Sequence, residues 1–550
     1  MTSMDNKDDK YTTEHIELDQ QGGNTHKHDT LHVNFSKDDT ITGDESLGLW
    51  ATALKYKMAT AICFAMTVAA AADGYQIGIV GNIIANEGFV RQFGTQRNAQ
   101  GEPILAAAVL SGWNSIQSVG QIIGMTTTPF FAERFGRKPT LFYFLGLLAI
   151  SILVESVANK WQVWLVAKLF TGAGVGSLQF MTPTYVTEIA PVKIRGSLLM
   201  TYNFWFGFGQ FAATLALQRM NATDPTNFRL PIYTQWSQIG IMFIIYLFVP
   251  ESPVWAVKRG NETLARKCLR RINRGVINFD ETRAYLAFQV NLAHEKAEAE
   301  RVGRVRWYAI FQGRNGWRTL VSAWPLISQQ FLGLSLFYSY VSYFFSIVGF
   351  ADPFRVTCIT SGIGMACGVA AAFLAERVGR RYLHNIGATC MLTCCIVVGI
   401  ISVVPQNGAS NTLLVAFTCL WVPGSTLQAA TAWVYCGEIS SARLRPYTAG
   451  FAAATSCVIG IVVGVLVPYM LNETEWNLGT KTAWFYAGLG APCVVLAWFI
   501  MPETAGRTPA ELDELFERRI KAWRFAKTQT AVQRAIAAGG QPDALREESG

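Results

Sequence analysis

The chain has 550 residues and a net charge of +8, and 51% of its residues are apolar while only 15% are charged. Soluble domains carry about 25% charged residues, so this composition excludes an ordinary soluble protein. The cations lie mostly in segments predicted below to be cytosolic, where anionic lipid accounts for them. We therefore expect no nucleic-acid partner.

The predicted elements begin with a polar segment, residues 1–56, which is expected to be disordered and cytosolic. Long uncharged stretches follow, and about 20 apolar residues suffice to cross a bilayer. The predicted spans are 57–85, 105–131, 139–157, 161–182, 197–217, 231–249, 319–348, 355–375, 383–404, 412–437, 448–471 and 482–501. They predict an all-α membrane protein of twelve transmembrane helices, with one six-helix bundle over 57–250 and another over 318–505.

A charged segment over 251–317 is predicted to be a cytosolic helical linker, and 506–550 a cytosolic tail that opens with a short helix near Pro509. The short loops after spans 2, 4, 8 and 10 carry clustered cations, whereas those after spans 3, 9 and 11 carry few or none. The positive-inside rule therefore places both termini in the cytosol. No secretory signal precedes the first span, so we expect a multi-pass protein of the plasma membrane.

Three motifs occur twice, in the same order and at nearly one offset. The first copies are Arg134-Phe-Gly-Arg-Lys, Tyr185-x-x-Glu188 with Arg195, and Pro250-Glu-Ser. The second copies are Arg377-Val-Gly-Arg-Arg, Tyr435-x-x-Glu438 with Arg445, and Pro502-Glu-Thr. This ordered repetition indicates two homologous halves, which is the organisation of many secondary transporters.

The motifs also resemble a family. Gly124 with residues 133–138 resembles the signature between spans 2 and 3 of the major facilitator superfamily. Residues 183–196, 250–253, 329–333 and 502–504 together resemble its sugar porter family, over about residues 57–505. The tail resembles the fungal branch that includes hexose and α-glucoside permeases. The resemblance implies alternating access and transport of a sugar rather than catalysis.

Matched charges at the cytosolic ends of the spans predict a gate. Its candidate residues are Arg134, Arg137, Glu188, Arg195, Arg377, Arg380, Glu438 and Arg445. We expect carboxylate–guanidinium pairs to hold the two bundles together when the cavity faces outward. The alternative is that these charges only set topology and cap helices.

The predicted sugar site lies near the membrane midplane between the halves. Gln329 and Gln330 lie inside span 7, and an unpartnered buried amide costs about 1–3 kcal/mol, so packing alone does not explain them. The resemblance implies that this pair contacts sugar. It carries the same role to Asn203, Ser335, Tyr340, Gln428 and Trp433. The alternative for Trp433 is ordinary helix packing.

Span 1 carries an intramembrane acid, Asp73, and such charges are functional candidates by default. The resemblance implies proton coupling through acids at the positions of Asp73, Gln76 and Gln121, together with a cation at Lys168. One acid of the three is present. We expect Asp73 to pair with Lys168, and Glu155 to be a residue of the membrane interface.

The sequence therefore predicts a sugar importer driven by proton symport. A passive facilitator is the alternative, favoured by Gln76 and Gln121, which do not titrate. A sugar sensor is disfavoured by the short tail after Gly506, and metabolite export by the Gln329–Gln330 pair. The expected partners are sugar, proton and bilayer, and the chain is expected to be monomeric.

No catalytic constellation, nucleotide loop or Cys/His cluster with ligand spacing is found, so we expect no enzyme activity, cofactor or metal. The cysteines predict no structural disulfide. Asn221-Ala-Thr, in a predicted external loop, is a candidate glycosylation site.

Overall fold

The computed structural model describes residues 48–97, 101–276, 279–302, 307–350, 352–405, 407–440, 444–505, 507, 509–530 and 534. Most of the predicted N-terminal segment and the end of the tail lie outside these residues. Within them the secondary structure is almost entirely helical. The exception is a hairpin of β1 (Gln96–Arg97) and β2 (Pro103–Ile104), in which Gln96 lies opposite Ile104.

The first half holds six spans, and the first of them is broken at Val68. Helix α1 (Leu49–Lys55) leads into this span, α2 (Lys57–Thr67) and α3 (Ala69–Ile83) form it, and α4 (Glu87–Phe93) follows outside it. The other five are α5 (Ala107–Phe135), α6 (Arg137–Val157), α7 (Trp161–Ile189), α8 (Val192–Thr223) and α9 (Arg229–Phe248).

Three helices lie between the halves: α10 (Pro253–Lys258), α11 (Glu262–Ile272) and α12 (Glu281–Val302). Helix α11 begins after Asn261, whose side chain accepts the backbone N–H of Leu264 at 3.0 Å, as expected of an N-cap. Its buried Leu269 packs with Ala256 and Tyr285. The segment therefore has a small apolar core of its own.

The second half repeats the plan. Its first span is also broken, into α13 (Gly313–Phe331), a π-helical turn (Ser335–Ser339) and α14 (Val341–Ile347). The remaining helices are α15 (Pro353–Arg377), α16 (Arg380–Ile401), α17 (Gly408–Glu438), α18 (Arg445–Leu471), α19 (Thr482–Ile500) and the tail helix α20 (Pro509–Glu517). The tail is attached to this half, because Arg318 pairs with Asp513 and stacks on the ring of Phe516.

The prediction of twelve spans in two halves is confirmed. Eight of the spans in the described residues are long and apolar enough to cross a membrane by length and composition alone. The predicted boundaries are close, but spans 1 and 7 are not the continuous helices that the uncharged stretches suggested.

Glycines bring two pairs of helices in the first half into close contact. A Cβ at Gly172 or Gly176 of α7 would collide with the carbonyl oxygen of Gln117 or Gln121 in α5. A Cβ at Gly74 of α3 would likewise collide with the backbone of α8. Because only hydrogen fits at these positions, α5 packs closely against α7 and α3 against α8, as two tight helix pairs.

The halves contact each other at the ends of the spans opposite the basic loops. Ser342 Oγ donates to Asn82 Oδ1 at 2.7 Å, Asn472 Nδ2 to the carbonyl oxygen of Leu105 at 2.9 Å, and Ser111 Oγ to that of Val465 at 2.8 Å. These are the predicted extracellular ends. The conformation is therefore closed on that side, as in the inward-facing state of an alternating-access protein.

Candidate functional site

Asp73 lies in α3, one turn after the break in span 1, and is 1% exposed. Its Oδ2 accepts hydrogen bonds from Gln179 Nε2 at 2.9 Å and from the Tyr202 hydroxyl at 3.1 Å. Oδ1 has no hydrogen-bond partner among the described residues. Gln179 Oε1 in turn accepts Gln121 Nε2 at 2.7 Å. The carboxyl is thus held by uncharged donors on one oxygen only.

Gln179 and Tyr202 were not predicted as site residues. A signal for Gln179 was present, because it is an amide inside an apolar span, the same argument that selected Gln329 and Gln330. Tyr202 directly precedes the predicted Asn203. Neither residue belongs to a recognised motif. Their contacts with Asp73 depend on how α7 and α8 are rotated toward α3, which the sequence does not show.

The expected pair between Asp73 and Lys168 is wrong. Lys168 Nζ lies 2.7 Å from Glu155 Oε1, and both side chains are at most 1% exposed. Gln235 Nε2 donates to the other Glu155 oxygen at 3.1 Å, and the ammonium lies 4.4 Å from the Trp164 ring centroid. Glu155 is therefore a buried counter-ion and not an interfacial residue. Glu155 lies in the last turn of α6 and Lys168 two turns into the following α7, so the two long side chains can meet between these helices.

Gln76 is buried with 3% exposure, three residues after Asp73 on the same helix. Residues three apart share a helix face. Its Oε1 lacks a hydrogen-bond partner in the described chain. Asp73 and Gln76 thus form a polar strip with two acceptor oxygens that lack hydrogen-bond partners among the described residues.

Four of the predicted sugar residues are partly buried or exposed. Gln329 and Gln330 end α13 just before the break in span 7, where Gly333 adopts φ +94°. Gln330 Nε2 makes one long contact, 3.4 Å to Ser456 Oγ. Asn203 of α8 is exposed, and Trp433 is 64% exposed. The exposure of Trp433 argues against the packing alternative.

The other three predicted sugar residues are buried. Ser335 and Tyr340, at the π-helical turn, are 7% and 5% exposed, and Gln428 is fully buried. Gln428 Nε2 donates to Ser328 Oγ at 3.0 Å and joins α17 to α13. In this conformation these residues support the broken span and do not line an open cavity.

A charged cluster lies at the predicted cytosolic end of the first half. The Arg137 guanidinium binds both oxygens of Glu188, at 2.6 and 3.1 Å. The backbone N–H of Arg137 donates to Glu251 Oε1 at 2.7 Å, and the Tyr185 hydroxyl donates to the carbonyl oxygen of Pro250 at 2.6 Å. Burial raises the pKa of Glu251, against the opposing effect of these N–H donors.

The second half builds the same cluster from the second copies of the motifs. Arg380 pairs with Glu438, and its backbone N–H donates to Glu503 Oε1 at 2.9 Å. The Tyr435 hydroxyl donates to the carbonyl oxygen of Pro502 at 2.9 Å. Gly136 and Gly379 precede the two arginines with φ values of +107° and +94°, a conformation that favours glycine.

In this conformation each arginine binds a glutamate of its own half, Arg137 with Glu188 and Arg380 with Glu438. The expected bridge between the bundles concerns the outward-facing state and stays a prediction. Arg134 and Arg377 are exposed, and Arg195 and Arg445 are partly buried at the starts of α8 and α18. The two glutamate-bound arginines therefore organise each half separately.

The candidate glycosylation site is not in a loop. Asn221 lies in the last turn of α8, and its Oδ1 accepts Asn86 Nδ2 at 3.0 Å. Among the described residues no group of histidine, cysteine or acidic side chains has the arrangement of a metal site.

Comparisons with known proteins show which family has this architecture. The profile of the family described as "Sugar (and other) transporter" matches residues 62–516. The general alpha-glucoside permease of Saccharomyces cerevisiae is 28% identical, over 99% of this chain and 90% of that protein. The MFS transporter fmqE of Aspergillus fumigatus is 29% identical, over 84% and 87% respectively.

The solved structure of the xylose transporter XylE from E. coli in a partially occluded inward open conformation superposes with a TM-score of 0.65, at 20% identity, over 82% of this chain and all of that one. This likeness shows the fold. Together with the profile match, it establishes that the chain belongs to the sugar transporter family, as a fungal-type sugar porter of the major facilitator superfamily.

Proposed function

We propose that the chain imports a sugar across the plasma membrane by proton symport, with Asp73 as the residue that carries the proton. The observation that supports this is the surroundings of Asp73. Asp73 is buried within a predicted span, its two hydrogen-bond donors are neutral, and its Oδ1 has no hydrogen-bond partner among the described residues. Lys168, the predicted counter-ion, is held by Glu155. A buried carboxylate without a cation is costly, and binding a proton removes that cost.

The sugar would bind between Asn203 of the first half and Gln329 and Gln330 of the second. Amides offer donors and acceptors together, which suits hydroxyl groups. The exposed face of Trp433 offers a surface on which a sugar ring can stack. Because the contacting groups belong to both halves, a bound sugar favours closure of the halves around it, which is the step alternating access requires.

An α-glucoside is the first substrate class to test. Two of the relatives are described as a general alpha-glucoside permease and a maltose permease. Hexoses are the competing substrate class. Uptake of labelled maltose, glucose and xylose in a transporter-deficient yeast separates these classes.

Sugar-induced alkalinisation of a weakly buffered medium tests the symport. We expect addition of the transported sugar to raise the external pH, and Asp73→Asn to abolish accumulation while some downhill exchange remains. Asp224→Asn is the control, because Asp224 is an exposed acid outside the spans. Uptake with no change in pH and no effect of an uncoupler would refute the proposal.

That result would favour the second candidate, a passive facilitator. The observation in its favour is that Gln76 and Gln121 stand where the resemblance implies acids. Gln121 takes part in a fully neutral amide contact with Gln179. A facilitator would equilibrate the sugar equally well in wild type and in Asp73→Asn.

A further inference from the structure

Asp73 lies where two closely packed helix pairs of the first half meet. One pair is α5/α7, joined along Gly172 and Gly176, and the other is α3/α8, joined along Gly74. The two donors to Asp73 Oδ2 come from different pairs. Gln179 belongs to α7, whereas Tyr202 belongs to α8, the partner of Asp73's own helix. The bond from Gln179 is therefore a polar link between the pairs.

We propose that Gln179 and Tyr202 are positioning residues of the proton site, which set the pH at which Asp73 releases its proton and tie the α3/α8 pair to α5/α7 while Asp73 is ionised. The inference rests on the proposed symport. It adds two residues to the coupling machinery and says how proton occupancy changes contacts between helices.

The asymmetry of the carboxyl supports this role. Both donors bind Oδ2, so Oδ1 is the oxygen free to take the proton. Protonation there turns two charge-assisted hydrogen bonds into neutral ones, which are about half as strong. Helix α8 also carries Asn203, the residue next to Tyr202. A weaker bond from Gln179 therefore loosens a helix that faces the sugar site.

Among the described titratable groups that surround Asp73, we expect only Asp73 itself to change charge near neutral pH. Tyr202 faces it from α8 and Tyr338 from the π-helical turn, and Tyr246 of α9 lies near Tyr202. Phenols do not ionise near neutral pH. Glu155 of α6 and Lys168 of α7, the charged residues nearby, form an ion pair with each other.

Infrared titration of the full-length protein in nanodiscs tests the role without any substrate. The carboxylic acid C=O band that is present in wild type and lost in Asp73→Asn reports the protonated residue. In Gln179→Met this band should persist to a pH higher by about one unit, a tenfold change in proton affinity, because a donor to the ionised form is gone. Tyr202→Phe should shift it in the same direction.

Gln121→Met is the matched control. It removes the far end of the amide chain and keeps the apolar shape, but it leaves the bond from Gln179 to Asp73 in place. We expect a much smaller shift than in Gln179→Met. Equal shifts in the two methionine variants, or no shift in Gln179→Met, would overturn the assignment. If Gln179→Met does not accumulate, Tyr202→Phe decides in the same way.

Hydrogen–deuterium exchange tests the link between the helix pairs. After correction for intrinsic rates, α8 should exchange faster in Asp73→Asn and Gln179→Met than in wild type at pH 8, where the link is intact. Equal protection in all three would refute the link. Because the titration needs no transport, a normal alkalinisation with an unshifted band refutes this inference alone. A shifted band without alkalinisation refutes the symport, and the coupling role with it.

Discussion

The buried ion pair of Glu155 and Lys168 is a residue-scale feature whose energy depends on both partners. Removing one partner of a buried pair leaves an uncompensated charge and costs about 3–5 kcal/mol, whereas replacing both is often close to neutral. Glu155→Gln should therefore lower the thermal unfolding midpoint of the purified protein in detergent. The double variant Glu155→Gln/Lys168→Met should recover most of the loss. A double variant as unstable as the single one would contradict this account.

The partly buried amide of Gln330 carries a prediction about affinity. Gln330→Ala should raise the KM for sugar about tenfold with normal surface abundance, since a lost buried hydrogen bond to ligand is worth about 1–2 kcal/mol. Gln428→Ala is the control, because Gln428 is bonded to Ser328 and buried. We expect it to lower abundance without raising KM. Unchanged kinetics in Gln330→Ala would remove this residue from the site.

The sequence could identify which residues were unusual at membrane depth, but not which of them face each other. The sequence singled out Asp73, Lys168 and the Gln329–Gln330 pair because a polar or charged side chain inside an apolar span is costly unless it has a function or a partner. The partner of Lys168 was predicted wrongly because pairing depends on the rotation of α6, α7 and α3 about their axes. The low charge of a span predicts which residues cross the bilayer, but it does not determine how the helix is rotated about its axis.

At the scale of the helix, the spans were predictable and the breaks in spans 1 and 7 were not. An uncharged stretch has the same hydropathy whether or not the helix inside it is continuous. The break in span 7 depends on local contacts, since the carbonyl oxygen of Leu332 is satisfied by Trp421 Nε1 at 2.9 Å. Gly333, with its positive φ, was the one local signal of that break.

The glycine contacts between α5 and α7 predict a sharp difference between two similar substitutions. Gly172→Ala would place a Cβ against the backbone of Gln117, so the helices must separate. Gly146 of α6 has open space around it, and alanine is a better helix former there. We expect Gly172→Ala to abolish folded protein on size-exclusion chromatography, and Gly146→Ala to leave the yield unchanged. Equal yields of the two would show that the close contact is not required.

At the scale of the whole molecule, the bonds at the predicted extracellular ends bias the protein toward its inward-facing state. Ser342→Ala removes the 2.7 Å bond to Asn82, worth about 1 kcal/mol, and should shift the population toward opening about fivefold. A cysteine replacing the buried Ala106 beside this junction should then react faster with an impermeant thiol reagent. Ser346→Ala is the control, because Ser346 bonds within its own helix. Equal labelling rates would rule out this junction as a determinant.

The repeated motifs predicted the two-half architecture correctly, whereas the bridging of their charges between the halves in the outward-facing state stays a prediction. Repetition at one offset indicates duplication whichever residues bind each other. The same spacings that suggest matched partners across the halves are also satisfied within one half, and the structure shows the latter: Arg137 with Glu188, and Arg380 with Glu438.

This self-contained cluster in each half has a consequence for the origin of the protein. A polypeptide of six spans that closed its own cytosolic end needed nothing from a second half except a surface to pack against. Two identical copies would have met that need as a symmetric dimer. In such a dimer every acid in the first span is present twice. A single chain with two different halves is free of that constraint: the first span of one half carries Asp73, and the first span of the other carries Gln329 and Gln330. Under the proposed function, a fused chain can thus give the proton and the sugar separate residues.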